Sequence, residues 1–143
     1  VSHNDVRQSP AYLLWLVNNA WQREVRRQLE PWDLTHVQFF VMSSIEKLGA
    51  ADTCLSQAEV ARFLDIDENM TSQVIRSLEQ RGMVVRSAHD SDRRARSLTL
   101  TEEGLRITLE ARTAVRDASA KFYARLGSDE AAFVALLTQL LTA

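Results

Sequence analysis

Sulfhydryl chemistry is nearly absent from this chain. Cys54 is the one cysteine, which excludes an intrachain disulfide and a thiolate metal cage. No apolar run approaches the ~18 residues that a membrane span requires. The opening from Val1 to Pro10 is polar, with neither an apolar leader nor a small-residue cleavage site. These absences predict a soluble, cytoplasmic protein with no membrane partner. Glycine occurs four times and proline twice, and the glycines are too dispersed for a phosphate-cradling loop. His3, His36 and His89 fall in separate segments, so a three-histidine metal site is not expected. Neither a Cys-x-x-Cys motif nor the histidine pair of a zinc protease occurs. The expectation is a protein that is not an enzyme, with no catalytic residues, cofactor or metal.

What is present is ordinary for a globular domain. The chain has 143 residues, 45% of them apolar, and a net charge of −2, which excludes a disordered polymer. That length argues for one domain with a core of its own. Lysine is confined to Lys47 and Lys121, so arginine carries nearly all the positive charge. One stretch holds Arg76, Arg81, Arg86, Arg93, Arg94 and Arg96 against only Glu79, Asp90 and Asp92. A local basic patch on an acidic chain suggests an anionic partner met at one place. By charge alone, a solvated arginine-rich surface reads the same.

Helix ends are legible. Ser9-Pro10 opens a first helix over about residues 10 to 30, closed by Pro31. Thr35 with Gln38 and Ser56 with Glu59 fit capping boxes for helices 2 and 3, and Gly49 fits a stop. Asp67 caps a fourth helix that ends at Gly82. The period then changes. Met83 to Arg86 and Arg96 to Leu100 are β-rich around a polar turn from His89 to Arg94, which predicts a hairpin with a charged tip. Thr101 caps a long helix 5 stopping at Gly127, and Ser128-Asp129 caps helix 6.

The fold class is thus mainly α with a small β-hairpin wing. Helix 6 is apolar on nearly every side, and such a helix must be enclosed. The economical enclosure is a second copy, giving an obligate homodimer through the N- and C-terminal helices. A monomer folding these helices back on its own core is the alternative.

Helix 3, a short turn and helix 4 match a helix-turn-helix. On a helical wheel Met70, Val74, Ile75 and Leu78 share one arc, while Asn69, Ser72, Gln73, Arg76 and Gln80 share the opposite one. Amide, hydroxyl and guanidinium groups read base edges, and helix 4 would enter the major groove of double-stranded DNA. The hairpin tip, with Asp92, Arg93, Arg94 and Arg96, would cross the backbone and place an arginine in the minor groove. Asp92 would hold one guanidinium in a fixed pose.

Two stretches together carry a resemblance. Leu55-Ser56-Gln57-Ala58-Glu59-Val60-Ala61 with Thr71-Ser72-Gln73-Val74-Ile75-Arg76-Ser77-Leu78-Glu79-Gln80-Arg81-Gly82-Met83-Val84 forms the first. Asp92-Arg93-Arg94-Ala95-Arg96-Ser97-Leu98-Thr99-Leu100-Thr101-Glu102-Glu103-Gly104 forms the second, an Asp-x-Arg followed by Leu-Thr-x-x-Gly. The chain resembles the MarR-type winged helix-turn-helix regulators over most of its length. The resemblance implies a winged unit over residues 33–100, flanked by dimerisation helices over 10–32 and 101–143. It implies a homodimer on a pseudo-palindromic operator, usually a repressor, released by a small aromatic or anionic effector. It assigns major-groove contacts to Asn69, Met70, Ser72, Gln73 and Arg76, and the minor-groove arginine to Arg94, braced by Asp92. Gln73 stands where many relatives carry a base and Arg76 where many carry an acid, so no operator sequence transfers.

The resemblance also implies an effector crevice, which Trp15, Trp21, His36, Phe39 and Phe40 would border; plain core aromatics are the alternative. Some similar regulators sense oxidants through a cysteine in the N-terminal helix. Cys54 lies elsewhere, just before helix 3, and is expected to be a small buried hydrophobe rather than a redox sensor. A winged module used only for protein contacts is the remaining alternative.

Overall fold

The computed structural model describes residues 5–51, 54–89 and 92–142, with the backbone alone at 88, 89 and 92–96. In chain order the α-helices are α1 (Pro10–Leu29), α2 (His36–Gly49), α3 (Gln57–Leu64), α4 (Glu68–Gln80), α5 (Glu102–Tyr123) and α6 (Glu130–Leu141). Strands β1 (Val84–His89) and β2 (Asp92–Leu100) form an antiparallel hairpin between α4 and α5. This is a winged helix-turn-helix with long helices at both ends. Among the described residues no helix is long and apolar enough to cross a membrane.

Local chemistry sets most element ends. Both capping boxes form, Thr35 with Gln38 on α2 and Ser56 with Glu59 on α3. Asp67 accepts from the Asn69 and Met70 amides at 2.8 and 3.1 Å, and Thr101 from Gly104 at 3.0 Å. The end of α4 is closed by Gly82 in the left-handed region (φ 72°), with Met83 N–H donating to Leu78 C=O at 2.9 Å.

Four ends differ from expectation. Gly49 is the last residue of α2 rather than a left-handed stop. α5 stops at Tyr123, and a 3-10 run, Ala124–Asp129, follows with Gly127 left-handed inside it. No side chain caps α6, because Asp129 is already helical there. The hairpin is longer than its β-rich core. It pairs from Val84↔Leu100 to Ala88↔Arg96, then jumps to His89↔Asp92, so strand backbone takes in much of the polar segment.

The core draws Val25 and Leu29 from α1, Met42 and Ile45 from α2, Val60 from α3, Ile75 and Leu78 from α4, and Ile107 from α5. Burying a side chain of this size contributes roughly 1.5–3 kcal/mol. The same core leaves the N-terminal half of α1 and most of α6 uncovered, with only Phe133 and Leu137 of α6 half-buried. Leu13, Leu14, Trp15 and Leu16 of α1 are exposed, and α6 has no buried residue.

Candidate nucleic-acid interface

The supporting helix α3 and the helix α4 are joined by a tight turn in which Asp65 takes the left-handed conformation (φ 52°). Aspartate tolerates that region better than most side chains. The buried side of α4 is Thr71, Ile75 and Leu78, with Val74 half-buried. Met70 was expected on that arc and is instead exposed at 46%, while Thr71 is buried at 0%. The stripe centres one residue further along the helix. Thr71 can be enclosed because its hydroxyl donates to the Asp67 carbonyl at 2.9 Å.

The outward arc carries Asn69, Met70, Gln73, Arg76 and Gln80, all exposed, with Ser72 at its edge. Arg76 Nη2 donates to Ser72 Oγ at 3.3 Å, one turn back. Glu79, on the flank beside Ser72, accepts from Arg86 Nε at 2.7 Å, and Glu68 in the first turn is an exposed carboxylate on the same flank. The centre of the arc thus presents positive and amide groups, with its acids at the flank.

Two arginines counted in the basic stretch are turned inward. Arg86 of β1 bonds Glu79 of α4 and, through Nη2 at 2.9 Å, Gln57 of α3, seating the wing on the helix pair. Arg81 donates to the carbonyls of Asp33 and Trp32. Sequence reasoning missed both roles, since nothing near either residue names partners so distant.

The wing root is well seated. Leu98 is buried, and its N–H donates to the Leu55 carbonyl at 2.8 Å, tying β2 to the segment before α3. The side chains of Asp92, Arg93, Arg94 and Arg96, and the bracing of Arg94 by Asp92, lie outside the described residues.

The five candidate effector residues fall into three places on this chain. His36 and Phe40 lie with ring centroids 4.7 Å apart, and Phe39, itself buried, is 5.7 Å from Phe40. Trp21 packs on Phe122 and Tyr123 at 5.4 and 5.7 Å. Trp15 is 64% exposed beside Ala11, Leu14 and Asn18. His36 Nε2 is buried with no hydrogen-bond partner among the described residues. Burial, and secondarily the charge of Arg26, holds its imidazole below the ordinary histidine range.

Cys54 is exposed, against the expectation of a buried hydrophobe. The neighbouring Leu55 is buried in the core instead. Among the described residues no cluster of His, Cys, Asp and Glu is arranged to hold a metal ion.

The sequence profile of the MarR family matches residues 34–95. The HTH-type transcriptional regulator YdcH of Bacillus subtilis (strain 168) is 40% identical over 96 residues, covering 67% of this chain and 65% of that protein. An HTH-type transcriptional repressor of Mycobacterium bovis is 34% identical over 115 residues, 80% of each chain. A cysteine-to-serine variant of MarR from E. coli, complexed with operator DNA, is similar in structure with a TM-score of 0.81. It is 25% identical, and the match covers 93% of both chains. A relative so similar over four-fifths of the length leaves one conclusion: the chain belongs to the MarR family of DNA-binding transcriptional regulators, and it is not an enzyme.

Proposed function

We propose that the protein acts as a homodimer on a pseudo-palindromic operator, as a repressor released by a small aromatic or anionic ligand. Each α4 lies in a major groove, with Asn69, Ser72, Gln73 and Arg76 toward base edges and Met70 toward thymine methyls. Each wing carries Arg94 into the flanking minor groove, braced by Asp92, with Arg93 and Arg96 on phosphates. The two half-sites then lie about 10 bp apart, one turn of the duplex.

The observation that carries this reading is the centre of the outward arc of α4, which presents amides and a guanidinium with no carboxylate among them. A helix face that serves only as solvated surface has no reason to exclude acids; one that approaches phosphates does. Dimerisation is supported by α6, whose Val134, Leu136, Leu140 and Leu141 are all exposed in a single chain. Ligand release is supported by the His36–Phe40 pair, where a buried ring nitrogen with no hydrogen-bond partner among the described residues stands beside an aromatic ring. Such a group accepts or donates a bond to a planar ligand that also stacks.

The test is selection of duplexes from a random-sequence pool by the purified protein, followed by anisotropy titration at two salt concentrations. Enrichment of an inverted repeat, with affinity falling steeply as salt rises, is the expected result. A protein that binds no duplex even at low salt is instead a winged module for protein contacts, and one that binds every duplex alike holds phosphates without reading an operator.

A further inference from the structure

The guanidinium of Arg81 makes two bonds across the fold that no groove contact requires. Arg81 closes α4; its Nη1 donates to the Asp33 carbonyl and its Nη2 to the Trp32 carbonyl, each at 2.8 Å. Those carbonyls end the 3-10 turn Glu30–Trp32 between α1 and α2, where Asp33 is left-handed (φ 51°). Carbonyls at a helix end have no partner inside the helix and carry partial negative charge. A planar cation with a rigid fork suits two of them in succession.

Trp32 also reaches the other way. Its indole Nε1 donates to Glu110 Oε2 of α5 at 3.2 Å, and Glu110 accepts in turn from Arg106 at 3.1 Å. One residue therefore receives a bond from α4 on its backbone and gives one to α5 from its side chain. Since α1 and α5 lead into the uncovered apolar surface, this chain of bonds joins the DNA-facing helix to the face a second copy would cover.

We infer that Arg81 is a positioning residue for DNA binding. Through Trp32 it sets where α4 stands against α1 and α5, and so the separation of the two α4 helices in the dimer. This rests on the two-half-site reading above. The second half-site adds affinity only when both helices meet the duplex in register. The charge of Arg81 is committed inside the fold, so it is not a phosphate contact.

The experiment uses the full chain and a duplex that the wild-type protein selects from a random pool. It is compared by anisotropy with a duplex carrying one half-site and with duplexes whose spacing differs by one base pair. Arg81→Gln is expected to bind the paired sites about tenfold more weakly or worse, to bind the single half-site as wild type does, and to discriminate less between spacings. Its salt dependence stays at the wild-type slope. Arg81→Lys, a point charge able to reach one carbonyl, falls between. Trp32→Phe removes the indole bond to Glu110 while keeping an aromatic ring against the core, and loosens the spacing preference in the same direction. Should Arg81→Gln not fold, this second variant decides, and an unchanged spacing preference overturns the inference.

An equal loss on the single half-site, with a salt slope lower by about one, marks a phosphate contact and overturns it too. Wild-type affinity of Arg81→Gln for the paired sites overturns the inference while leaving the DNA reading standing. A wild-type protein that selects no duplex overturns both.

Discussion

Gly104 packs its bare Cα against the backbone of Met83: a Cβ built there would stand 2.1 Å from the Met83 carbonyl oxygen and 2.9 Å from its carbonyl carbon. The same Met83 oxygen accepts the Thr101 N–H at 3.0 Å, so the strand end and the first turn of α5 are drawn together at this point. The glycine of the Leu-Thr-x-x-Gly pattern is there for space, since its φ is ordinary. Gly104→Ala is expected to destabilise the fold by about 2–4 kcal/mol. Gly49→Ala, with nothing within 4 Å and no left-handed φ, should instead be neutral or stabilising by up to ~1 kcal/mol. Urea melts of the two variants decide this, and equal effects would remove the steric argument.

Arg76 is exposed and bonded only to Ser72 among the described contacts. Arg76→Ala should leave stability within about 0.5 kcal/mol. It should weaken binding to a selected duplex by roughly 1–3 kcal/mol and relax base preference at one position. A uniform loss across all sequences would reassign Arg76 to the phosphates.

Arg94→Ala should lower operator affinity by about tenfold or more at fixed salt, with the fold intact and the oligomeric state unchanged. Anisotropy titration beside a sedimentation run reads both. Unchanged affinity would take the wing out of the binding mechanism.

His36 is held toward its neutral form by burial and, secondarily, by Arg26. Its folded pKa lies below its ordinary value of 6.5, so the unfolded chain binds the proton more readily. The associated stability is present above pH 6.5 and is lost as pH falls through the lowered folded value. Stability measured by urea melts should therefore drop from pH 7.5 toward pH 5, and His36→Phe should flatten that drop. A variant with the wild-type pH slope would place the effect at other groups.

Leu140 of α6 is 76% exposed in the single chain. If a second copy covers it, Leu140→Glu should shift the protein from dimer to monomer in sedimentation velocity and weaken DNA binding with it. A wild-type protein that sediments as a monomer, or a variant that stays dimeric, would mean that something else covers α6.

Much of the fold was readable because its determinants are short-range. Both capping boxes, the Asp67 cap and the Gly82 stop act over three or four residues, and all stand where the residue pattern put them. The errors have a common cause as well. Met70 and Thr71 are adjacent, and the wheel alone does not say that a threonine bonded back to Asp67 is the better residue to bury. Gly127 was read as the end of α5, yet a 3-10 run carries the chain from Tyr123 to Asp129 and makes the Asp129 cap unnecessary. Cys54 was read by its usual burial, but Leu55 beside it belongs to the core while Cys54 is exposed.

The interface divides along the same line. Residue type and helical period were enough to say which side of α4 carries Asn69, Gln73 and Arg76, because a helix repeats every 3.6 residues wherever it sits. They were not enough to say what each arginine does. Arg81 finds its acceptors 48 and 49 residues back, and Arg86 finds Gln57 29 residues back, across contacts that exist only once the helices have packed. Neighbours along the chain were enough to fix the order of the elements, most of their ends and the polar side of α4. Which positive charges are tied into the fold emerges once the helices have packed, since a charge-assisted bond depends on distance in space rather than on separation in sequence.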